Sequence, residues 1–160
     1  MAYHGLETYL TDHLAGATAG LNLSRIAAEE HQQDEHGQFF GQIALEIRED
    51  YETLEKVMDG LGVDKSAIKT AAAEVGTKVM SPKFTSGDDD ALNAFITLET
   101  LSIGIEGKTC MWTALATLDD PTLDGFDIDK LIARAQDQRA RTEEQRLAIA
   151  PQALAHTVSA

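Results

Sequence analysis

The chain has little with which to brace itself covalently: its 160 residues include one cysteine, Cys110. A lone thiol cannot close an internal disulfide, which points to a reducing cytoplasm. There are 3 prolines, and aromatic residues make up 6%. Both scarcities suit a helical bundle better than a sandwich. Basic residues are short too, 13 against 27 acidic, for a formal net charge of −14. Such a surface argues against nucleic acid and anionic membranes as partners, because both select a basic face. No uninterrupted apolar run reaches about 18 residues, so no membrane span is expected. The opening MAYHGLETYL has no basic segment followed by an apolar one, so no signal peptide is expected. What is present is 43% hydrophobic residues, a globular proportion. That is enough for one helical-bundle domain over residues 1–160.

Apolar residues recur at helical spacing in four long stretches. The first, about 5–32, carries Leu6, Leu10, Ala17, Leu21 and Ala28, with His13, Ser24 and His31 on the same stripe. Gly16 and Gly20 stand four apart within it. Each costs about 1 kcal/mol against alanine, which closest packing of a neighbouring helix would offset; space for a ligand is the other reading. Glu29–Gly37 reads as a polar turn. The second stretch, about 38–59, has Phe40, Ile43, Ile47, Leu54 and Met58 as its stripe, with Asp50 inside the arc and Glu46 on its flank. Gly60 and Gly62 close it through a left-handed terminus. A crossover over 60–90 contains a short helix at 65–76 behind Asp64. The third stretch covers about 90–118. The fourth, about 128–150, starts from an Asp127 cap and is closed by Pro151.

The third stretch carries the chemistry. Glu99 and Glu106, seven apart, fall among Leu92, Phe95, Leu98, Ser102, Ile105 and Thr113. Arg139 and Arg146, also seven apart, lie at the centre of the inward face of the fourth stretch. A short loop joins the two stretches, so they pack as an antiparallel hairpin. Folding about residues 122–123 sets Glu99 against Arg146 and Glu106 against Arg139. A buried carboxylate needs such a partner, and a guanidinium supplies a planar fork of donors. The expectation is an interior ion-pair ladder that fixes register. The alternatives are an anionic ligand held by the two arginines, or a metal site.

Two helical hairpins joined by a long crossover resemble the ferritin-like superfamily. The resemblance implies a four-helix bundle of two antiparallel hairpins. It also implies carboxylates on the second and third helices at matching height, a position that Glu46 and Glu99 would take. Iron members of that superfamily carry a Glu-x-x-His on the second and fourth helices. Here Glu49 stands three residues after Glu46, Arg146 stands three after Glu143, and no Glu-x-x-His occurs.

The expected function is therefore that of a non-catalytic bundle with no cofactor, acting by association with itself or with a protein partner. The alternative is an iron or manganese oxidase or storage protein, with Glu46, Asp50, Glu99, Glu106 and His13 as ligands. His13 and Cys110 are expected near one level, as a core histidine and a buried structural cysteine.

Overall fold

A computed structural model describes residues 4–65 and 89–155. These residues form a four-helix, all-α bundle. Helix α1 is His4–Glu30, α2 is Gly37–Gly60, α3 is Asp90–Leu115 and α4 is Ile128–Leu154. The short helix expected at 65–76 lies outside the described residues.

Helices α1 and α2 pack against each other, α3 packs against α4, and α1 meets α3. Long polar side chains bridge α2 to α4. Glu46 takes Arg141 and Glu49 takes Arg134, so numbers rise on one helix as they fall on the other. The two are antiparallel. Because α3 is antiparallel to α4, α2 and α3 run parallel. The register between them differs from expectation. Asp50 stands level with Lys108, so Glu46 and Glu99 are not at one height.

The helix ends follow local chemistry. Asp89 and Asp127 each cap a helix, their carboxylates accepting from the N–H of Leu92 and of Lys130 at 3.0 Å. Helix α2 ends in a Schellman motif. The N–H of Val63 donates to Met58, that of Gly62 donates to Asp59, and Gly62 adopts a φ of +68°. Val63 and Met58 are both buried, which completes the apolar contact of that motif. Pro151 does not close α4. The helix runs one further turn to Leu154, and Ala153, buried against the core, accounts for the extension.

The turn before α2 is tighter than a solvated loop. His31 is buried, stacks on Phe40 with ring centroids 4.8 Å apart, and lies 2.6 Å from the Asp34 carboxylate. A Cβ on Gly37 would stand 2.4 Å from the His31 carbonyl oxygen. Backbone there cannot swing aside as a side-chain end can. Gly37→Ala is expected to cost about 1–3 kcal/mol, read as a lowered urea midpoint.

The core is apolar and continuous through Leu10, Phe40, Ile43, Leu54, Leu98 and Trp112. Helix α1 contributes unevenly. Leu10, Leu14, Ser24 and Ala27 are buried, but no residue between Leu14 and Ser24 is. Opposite that gap the bundle opens.

Candidate functional site: a groove between the first and third helices

Facing the gap in α1 is a cavity of about 450 Å³, within the size range of small-molecule sites. Its α1 side is Asp12, His13, Gly16, Ala17, Ala19, Gly20 and Leu23. Gly104 and Gly107 answer from α3, and Ile47, Leu54, Met111 and Trp112 form apolar wall. A Cβ built on Gly16, Gly20, Gly104 or Gly107 meets no atom of the described residues within 4 Å. The expectation of closest packing at Gly16 and Gly20 is thus corrected: these glycines border open space. Four mid-helix glycines each sacrifice helix stability, and no close helix contact returns it.

Two groups in the wall are polar and deeply placed. Lys108 reaches Asp50 at 2.5 Å and also donates to the amide oxygen of Gln138. Asp50 is 5% exposed. It accepts further from the Gln138 amide at 2.8 Å, and its other oxygen lies 3.2 Å from Arg134 Nε as an ion pair. Asp50 therefore sits among three polar partners from two other helices. Burial lowers the pKa of Lys108 below its ordinary value, although the adjacent Asp50 carboxylate pulls it up. The second group is Trp112, 1% exposed, whose indole N–H has no hydrogen-bond partner among the described residues. Such an orphan donor costs about 1–3 kcal/mol.

Other polar side chains ring the cavity. His13, half-buried, meets Tyr9 edge to face at 4.5 Å, and burial lowers its pKa against the opposing pull of Asp12. Cys110 is exposed rather than buried.

The four residues expected as an interior ladder lie elsewhere. Arg146 Nη1 is 3.1 Å from Glu99, and Arg139 Nε is 3.1 Å from Glu106. The Glu99 and Glu106 side chains are 50% and 51% exposed, however. These contacts run along the flank of the α3–α4 hairpin, not inside it. Arg146 is also engaged by both oxygens of Glu143, at 3.0 and 2.8 Å, and lies 5.5 Å above the Phe95 ring. Arg146 is thus held by two carboxylates and Arg139 by one.

The candidate metal ligands do not converge. Glu46 is held by Arg141 and Gln42, Asp50 by Lys108, Arg134 and Gln138, and Glu99 and Glu106 by their arginines. His13 stands with Asp12 at the groove. Among the described residues no three His, Cys, Asp or Glu side chains gather as a cation would require.

The carboxylates give the fold an acid limit. Hydrogen bonds from Arg146, and then from Ser102, hold Glu143 down to about 2, against an ordinary 4.5. At Glu46 burial would raise the pKa, but hydrogen bonds from Arg141 and Gln42 outweigh it and the net shift is downward. A depressed carboxylate binds fewer protons folded than unfolded. Its stabilisation is complete above the ordinary value and is lost as pH falls toward the folded one. The urea midpoint is expected to fall between about pH 5 and pH 2, with a shallower fall in Glu143→Gln.

Comparison of the chain with protein-family models, with curated proteins and with solved structures finds no match. Among the described residues no helix is long and apolar enough to cross a membrane.

Proposed function

We propose that this bundle is a small-molecule binding protein whose site is the groove between α1 and α3. The observation that carries the reading is the set of four glycines, two on each helix, that line open space at a cost to helix stability. Proteins that give up stability locally commonly do so for function. An apolar wall with a few placed polar groups is also the general make-up of ligand sites. The test is a calorimetric titration with small apolar molecules of the wild type and of Gly16→Leu/Gly104→Leu, which fills the groove from both sides. One ligand per chain is expected in the wild type and none in the filled variant. Equal uptake by both would place binding elsewhere.

The ferritin-like resemblance rests on connectivity, with two antiparallel hairpins and parallel α2 and α3, and it supports the architecture without the iron chemistry. The exposed, unpaired thiol of Cys110 supports a cytoplasmic setting. Association remains a second reading because Leu147 and Leu154, seven residues apart on one side of α4, are 59% and 63% exposed. Native mass tests it. If these residues form an interface, a dimer is expected that Leu147→Lys/Leu154→Lys converts to monomer.

A further inference from the structure

The groove reading leaves open what kind of molecule fits. The cavity wall offers donors in excess. Of the three N–H groups of Lys108, two are taken, by Asp50 and by Gln138. The third has no partner among the described residues, and neither has the indole N–H of Trp112. The acceptors nearby are already used. Asp50 Oδ2 receives Lys108 and Gln138, and Oδ1 lies 3.2 Å from Arg134 Nε as an ion pair. Lys108 and the half-buried Arg134 share the Asp50 carboxylate, and Arg134 pairs with Glu49 as well. Away from this corner the wall is apolar, with Leu23, Ile47, Leu54, Leu101, Ile105 and Met111 along it.

On the groove reading, we infer that the ligand is an apolar molecule bearing one carboxylate, seated with its oxygens toward Lys108 and Trp112 and its body along the glycines. A carboxylate fits because it only accepts hydrogen bonds and, being ionised, forms the stronger charge-assisted ones. A neutral hydrocarbon would leave both donors buried and unpaired. A cationic ligand would meet Lys108 and be repelled. Asp12 at the groove edge is a like charge for the ligand, but it is exposed to solvent, where such repulsion is screened.

The test uses the full chain and three probes of one size: octanoate, methyl octanoate and octane. The emission of Trp112 is the readout, and it is unambiguous because the chain holds 1 tryptophan. Octanoate is expected to bind saturably and at least about tenfold more tightly than octane, the usual worth of a charge-assisted hydrogen bond. Methyl octanoate should fall between them. Lys108→Met should bring octanoate down to the level of the ester. The comparison among probes on wild-type protein stands even if that variant folds poorly. Octane binding as tightly as octanoate would overturn the carboxylate assignment and leave the groove reading intact. Failure of all three probes to bind would remove the groove reading itself.

Discussion

Asp50→Ala is expected to destabilise the protein by about 3–5 kcal/mol, because it strands Lys108 without its buried counter-charge. For a chain of this size that corresponds to a fall of roughly 10 °C in the thermal midpoint. The size of the effect follows from where the pair sits. Asp50 is the buried acid of α2, and its donors come from α3 and α4. One carboxylate thus ties three helices at one height. Glu106→Ala should behave differently. Its bond to Arg139 lies in water, where such pairs contribute less than about 1 kcal/mol. Urea unfolding of the two variants side by side measures the contrast. Equal losses would contradict the placement of the ionic centre at Asp50.

The second large effect has the opposite sign. Replacing Gly16, Gly20, Gly104 and Gly107 together by alanine is expected to raise stability by about 3–4 kcal/mol, from helix propensity alone. Each new methyl points into open space, so no steric cost opposes the gain. Had these glycines been sites of close helix approach, each methyl would instead have cost about 1–3 kcal/mol through overpacking. The two accounts therefore differ in sign as well as in size. An urea midpoint below that of the wild type would reject the open groove.

Much of the fold could be read from residue pattern. Helix spacing, the Asp127 cap and the Gly62 terminus located the four long helices, and the short loop near 122–123 set the α3–α4 register. What the pattern misjudged was where the inward face of α3 ends. That helix is apolar on nearly every side, with Ile103 68% exposed and Leu98 buried, so periodicity alone selects no face. The face drawn through Leu92, Phe95, Leu98, Ser102, Ile105 and Thr113 took in Glu99 and Glu106. Phe95, Leu98, Ser102 and Ile105 are buried as expected, but the buried arc extends the other way through Ala94, Leu101 and Trp112 and leaves both glutamates on its flank.

The correct face carried its own signal. Lys108 stands three residues after Ile105 and four before Trp112, in line with the core. Gln138 stands three after Ala135 and four before Thr142, in the same relation on α4. Each is a polar residue at an apolar position, on helices that face each other. Asp50 was recognised as such a residue on α2, but its partners could not be named without the register between the hairpins. No short loop joins the two hairpins in sequence, so the pattern fixes no height between them. The groove was less legible still. A glycine pair on a helix is compatible with both a close neighbour and an empty space, and sequence does not distinguish them.

The most direct test of the groove and its waiting donors is the indole N–H resonance of Trp112 in a proton–nitrogen correlation spectrum, recorded with and without saturating octanoate. A single indole peak is expected, moving downfield as the N–H gains an acceptor and reaching a limit at one octanoate per chain. An indole peak that stays in place while octanoate saturates the protein would contradict the account.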